Sequence, residues 1–253
     1  ANVQFLVGTD KSAVQIPELY VKSKLGIFEF WAGMRKQTFG LADSTISSGS
    51  FVWSGNALPI PKIELTVPNW FYPKKGGFFA FKGNFAHGVF ENNRTDAAHV
   101  FLHQKSFYGQ FGRETSTIKL FAGFNHQVQW GGKLLYADPN NVSGIGGQVP
   151  TSFLDYIYVV TGFNLAATND TTARGKNDAG NRVGNHLGSV DIGAEIDFGS
   201  FKVLGYRQSY YEDGSLFWLN NITDGLHGIS IQSKKETKFR KLVLEYFNST
   251  SQG

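Results

Sequence analysis

The chain has no cysteine, one methionine and seven prolines, and only 17% of its 253 residues are charged, below the usual ~25%. No disulfide framework and no cysteine-ligated metal site can exist without the thiols. So few charges exclude a disordered acidic or basic tail protein. Ala, Leu and Met taken together are far fewer than Gly, Phe, Tyr, Thr and Asn taken together, which argues against a helical bundle. No run of about 18 uncharged apolar residues occurs, so no transmembrane helix is expected. A transmembrane β-barrel survives this test, because its strands need only about 9–11 alternating residues and tolerate a mean hydropathy as low as −0.21. The net charge of +4 comes from 24 basic against 20 acidic residues. With no basic stripe or binding motif, this bias gives no support for a nucleic-acid partner. No zinc-protease, serine-hydrolase or phosphate-loop motif appears.

What the chain has instead is glycine, 30 residues, and phenylalanine, 23. These lie in segments with a period of two. From Val190, the residues Val190, Ile192, Ala194, Ile196 and Phe198 make one face; Ser189, Asp191, Gly193, Glu195 and Asp197 make the other. Leu19, Val21 and Leu25 oppose Tyr20, Lys22 and Lys24. Phe28 and Phe30 oppose Glu29, Trp31 and Arg35. Ile63 and Leu65 oppose Lys62 and Glu64. Phe79, Phe81 and Phe85 oppose Lys82. Ile118, Leu120 and Phe124 oppose Lys119, and Leu242 and Leu244 oppose Lys241 and Glu245. Such alternation marks strands with one apolar face. The segments 99–112 and 201–213 mix polar and apolar residues on both parities, so their faces stay unassigned.

Short turns alternate with long polar connections, and aromatics gather near the ends of the runs. An outer-membrane barrel has both features; a soluble β-sandwich or jelly roll is the alternative. The chain begins inside an extended pattern at Val3, Phe5 and Val7, as a processed or cut chain would. No linker divides it, so residues 1–253 are expected to form a single β-barrel domain. One segment breaks the period. Ser152 followed by Asp155 is a capping box, and Phe153, Tyr156, Ile157 and Val160 recur at helical spacing before Gly162. These predict a short helix over 153–161, although Tyr156–Val160 would also suit a strand. If the barrel reading holds, Glu29, Arg35, Lys62, Glu64, Lys82, Lys119, Asp191, Glu195 and Asp197 face the lumen.

No catalytic residue, metal site or cofactor is expected. His99 and His103 on a strand would stand about 13 Å apart. The carboxylates Asp191, Glu195 and Asp197 have a spacing that glycoside cleavage would allow, but carboxylates lining a wet lumen are the commoner case. Three segments mix amides, an aromatic and glycine near a run end: 59–70, 124–132 and 213–225. Stacking faces beside planar amides suit sugars. The glycan-binding candidates are Asn125, His126, Gln129 and Trp130, and Trp218, Asn220, Asn221 and Asp224.

These segments also carry a resemblance. Together with Trp31–Gly40, Ser47–Ser50 onward to Trp70, Asn185–Gly193 and Tyr206–Gln208, they make the chain similar to the capsule assembly Wzi family of outer-membrane barrels, in particular its Bacteroidetes-type members. The resemblance implies a non-enzymatic, monomeric, 18-stranded barrel in the bacterial outer membrane. Such a barrel binds capsular or other surface polysaccharide and assists its attachment or assembly. Outer-membrane lipid and other outer-membrane proteins would be its partners. An accessory barrel subunit of a larger complex is the alternative, followed by a diffusion porin. Only eleven or twelve candidate strands are present, so the sequence is expected to be part of a longer chain.

Overall fold

A computed structural model describes residues 2–7, 12–43, 45–47, 49–55, 57–165, 171–215, 222–236 and 238–251, with side chains from residue 16 onward. The strands are β1 (Asn2–Val7), β2 (Ser12–Leu25), β3 (Phe28–Met34), β4 (Lys62–Phe71), β5 (Phe79–Val89), β6 (Ala97–Ala98), β7 (Phe101–Phe111), β8 (Ile118–Trp130), β9 (Lys133–Leu134), β10 (Asn185–Asp197), β11 (Phe201–Glu212), β12 (Gly225–Ser233) and β13 (Lys241–Asn248); the helices are α1 (Phe153–Thr161) and α2 (Lys176–Gly180). Apart from the small β6–β9 pair, the strands form one antiparallel meander, β2-β3-β4-β5-β7-β8-β10-β11-β12-β13, with β1 on the first half of β2. Among the described residues no ladder joins β13 to β1 or β2, so the sheet is open. No described helix is long and apolar enough to cross a membrane.

The alternation decides which way each side chain points. Val190 is 38% exposed, Asp191 0% and Ile192 57%. The same reversal runs across the sheet. Leu19, Val21, Phe30, Ile63, Leu120, Ile229 and Leu244 are exposed, while Glu29, Lys62, Glu64, Gln104, Asn125 and Gln208 are buried. A water-soluble sandwich buries its apolar face. Here the apolar face is the bare one.

What covers the polar face is the connection 35–61 between β3 and β4. Leu41 packs with Tyr108, Phe121, Tyr206 and Leu226 from four different strands. Its backbone N–H donates to Asp191 at 2.9 Å. Farther across, Asp43 accepts from Ser230 at 2.8 Å and pairs with Lys241 at 2.7 Å, and Ser47 donates to Glu245 at 2.6 Å. The segment thus runs from β3 to β13 as an inserted plug. Gly40 is at the tightest crossing. Its φ is +94°, and a Cβ there would strike the Gln208 amide, so only glycine fits both the conformation and the space.

The charges assigned to the interior lie on the polar side, with Asp197 partly open to solvent at the short-turn end. Glu29 pairs with Lys22 at 3.0 Å, Arg35 with Glu64 at 2.7 Å, Lys119 with Glu195 at 3.7 Å and Asp197 with Lys234 at 2.8 Å. Lys62 donates to Gln37 and Gln104 and lies 3.6 Å from Glu64. The Lys82 ammonium sits 4.9 Å from the Trp70 ring centroid.

Helix α1 forms where the capping box predicts it. Ser152 and Asp155 bond reciprocally, and Gly162 ends the helix at φ +72°. The strand alternative for Tyr156–Val160 is ruled out. The helix lies against the apolar face, and its position explains the two segments that the alternation leaves unassigned. The outward parity of β7 runs through Phe101, His103, Lys105 and Phe107. His103 is buried, and Lys105 donates to the Val160 carbonyl at the end of α1. Tyr156 bonds His87 at 3.3 Å, and His126 bonds His186 at 2.8 Å nearby. Below them Val128, Val159, Leu165 and Val183 make a second apolar cluster. The polar interruptions of the outer face therefore coincide with the helix's footprint. On β11, Val203, Arg207 and Ser209 share the outward parity, and Arg207 is tied down by the Ile222 carbonyl.

Candidate functional site at the long-loop end

The connections of the ten-stranded meander segregate. The turns 26–27, 72–78, 112–117, 198–200 and 234–240 lie at one end of the sheet; 35–61, 90–100, 131–184 and 213–224 lie at the other. A cavity of about 580 Å³ opens at the long-loop end. It sits between the final residues of β8, the first of β10, the end of β11 and the α2 region. Trp130 and Tyr136 supply aromatic faces; Gln129, Asn177, Asn181 and Asn185 supply amides. Arg182, Asp178 and Asp213 add charge to the lining.

Hydrogen bonds fix the polar groups. Asn181 donates to Asp213 at 2.5 Å, Arg182 to the Asn181 side chain at 3.1 Å and to the Gly162 carbonyl at 2.9 Å, and the Gly184 N–H to Asp178 at 3.3 Å. Asp213 has φ +49°, a conformation Asp tolerates better than most residues. Three polar atoms of the lining are buried without a hydrogen-bond partner: Trp130 Nε1, Asp178 Oδ2 and Asp213 Oδ1. The groups suited to a ligand with an apolar face and hydroxyl edges are the aromatic rings and the amides of the lining.

Burial pushes the Asp178 carboxyl up to about 6 from its ordinary 3.8; Asp155 and Asp213 add to the shift, and the Gly184 N–H and Arg174 oppose it. A raised carboxyl favours the protonated folded state. Its contribution to stability is complete below about pH 4 and is lost as pH rises through 6. Asp178→Asn should therefore flatten the fall in melting temperature between pH 4 and 7. An unchanged pH profile in this variant would show that the carboxyl titrates normally.

The structure does not bring the sequence-predicted glycan residues together. Asn125 and Gln129 point to the polar face; His126 and Trp130 point to the other. Asn125 is fully buried and donates to Ser189 at 2.7 Å. His126 is closed off beneath α1. Of this group Gln129 and Trp130 reach the cavity. Trp218, Asn220 and Asn221 lie outside the described residues. Asp224 is fully buried and accepts from the Ser251 N–H at 3.0 Å. Asp178, Asn181, Arg182 and Asp213 are the residues that sequence reasoning misses as a set. Asp213 opens one of the segments singled out above, but the other three sit in and just after the short helix α2, in an aperiodic polar stretch.

Asp191, Glu195 and Asp197 are all engaged, by Leu41, by Lys119 and Lys202, and by Lys234. No group of three His, Asp or Glu suited to a metal ion occurs among the described residues. His99 is exposed, with φ +57°, and is held by Asn92, away from buried His103. Comparison with protein families, curated proteins and solved structures finds no match to this chain.

Proposed function

We propose that this chain forms most of the wall of a β-barrel in the bacterial outer membrane and holds surface polysaccharide, without cleaving it, at the cavity of its long-loop end. The observation that carries the membrane half is the inverted sheet: large apolar side chains bare on one face, buried charges and amides on the other. In water that exposed face would be strongly unfavourable, whereas lipid is its natural solvent. Segregated turn lengths support the same reading, with short turns toward the periplasm and long loops outside. Aromatic clusters near both ends suit interfacial girdles; at the short-turn end Phe79 lies 5.4 Å from Phe111, and Phe81 5.9 Å from Phe107. The open edges at β2 and β13 fit a wall completed by further strands of an 18-stranded Wzi-type barrel.

The plug speaks against the diffusion porin, since 35–61 crosses the polar face from β3 to β13. The carbohydrate half rests on the cavity's chemistry, aromatic faces beside fixed amides. Trp130→Ala and Tyr136→Ala should both weaken retention of extracted capsular polysaccharide. Tyr136 is 51% exposed, so its variant should keep the parent's melting temperature. If both variants retain polymer as the parent does, the accessory-subunit reading replaces this one.

A further inference from the structure

A second cavity adjoins the first. It measures about 280 Å³ and lies between the plug and the polar face of β7, β8 and β10. Gln129 and Asn185 line both cavities and are register partners on neighbouring strands. These two side chains border both cavities. The cavities differ in chemistry. The inner walls are mostly apolar, from Trp53, Leu58, Leu102 and Leu187, and amide groups of Gln127, Gln129 and Asn185 interrupt them. Arg35 also lines the cavity, and its Nε–H is buried without an acceptor.

We infer that the inner cavity receives the acetamido group of an N-acetylated sugar residue whose ring and hydroxyls occupy the outer cavity. This rests on the saccharide reading proposed above. An acetamido group has three parts: a methyl, a carbonyl acceptor and an N–H donor. The inner cavity offers a counterpart to each. Leu102, Leu187 and the Trp53 ring supply an apolar wall for the methyl. The amide NH₂ groups of Gln129 and Asn185 supply donors to the carbonyl. The amide oxygens of Gln127, Gln129 and Asn185 supply acceptors for the N–H. A plain hydroxyl would leave the apolar wall wet and would use only part of this set.

The test uses two tetrasaccharides with the same β-1,4 backbone, chitotetraose with acetamido groups and cellotetraose with hydroxyls, titrated against the full chain in detergent. Chitotetraose should bind roughly tenfold tighter, the difference of about one well-placed hydrogen-bonded group. Leu58→Trp should fill the inner cavity from its exposed rim, remove that preference and leave cellotetraose binding unchanged. Equal binding of the two sugars by the parent, or a preference that survives Leu58→Trp in a folded variant, would overturn the inference while leaving the saccharide reading intact. Binding of neither would overturn both.

Discussion

Asp191→Ala is expected to lower the stability of the fold by about 3–5 kcal/mol, because the Asp191 side chain joins the plug to the wall. It is fully buried and accepts from the Leu41 N–H at 2.9 Å, the Ser189 hydroxyl at 2.6 Å and the Tyr108 hydroxyl at 3.1 Å. Truncation strands three donors away from water, and each buried unsatisfied group costs about 1–3 kcal/mol. Asp191→Asn keeps one oxygen acceptor and should lose less. Urea titration of the detergent-purified protein reads the size of the effect. Limited proteolysis reads its place, since 35–61 should become cleavable while the strands stay protected. A variant as stable as the parent, with 35–61 still resistant, would mean that the plug is held by its other contacts alone.

Ile192→Arg is the second large effect, and its size separates two environments. If β10 crosses a bilayer, an arginine at mid-height on the lipid face costs about 2–4 kcal/mol. If the same face meets water, a substitution at a residue already 57% exposed should stay within about 0.5 kcal/mol. Leu120→Arg, on the neighbouring strand, should behave alike. Refolding into phospholipid vesicles under a urea gradient measures both. A cost near zero would remove the lipid from the account.

The strands were legible because burial on one face only leaves a period of two in the sequence. Val190 to Phe198 shows it without a break, and in the structure Val190, Asp191 and Ile192 are exposed, buried and exposed in turn. The helix was legible from its ends, Ser152 with Asp155 and Gly162, more than from its middle. The plug was not. Residues 35–61 have no period, because each contact there is set by a different strand across the sheet. His103 and Lys105 blurred the parity of β7 for a related reason: a helix more than forty residues later in the chain covers them, and no local pattern records that. The site divides in the same way. Trp130 and Gln129 stood out as an aromatic and an amide at a strand end, but alternation sends Asn125 and His126, their neighbours in sequence, to opposite faces and out of reach of the cavity. Asp178, Asn181 and Arg182 lie in and just after α2, in a polar stretch whose composition gives no hint of which side chains converge.

The central claim, that the bare apolar face lies in lipid, can be tested directly because the chain has no cysteine and single thiols can be introduced without background. Nitroxide labels at Leu120, Ile192, Ile229 and Leu244, compared with labels at Glu195 and Lys202 on the opposite parity, report collision with oxygen, which concentrates in lipid, and with a water-soluble nickel chelate. In protein reconstituted into vesicles, oxygen-dominated collision is expected at the first four positions and not at the other two. Nickel-dominated collision at Leu120 and Ile192 would contradict the claim.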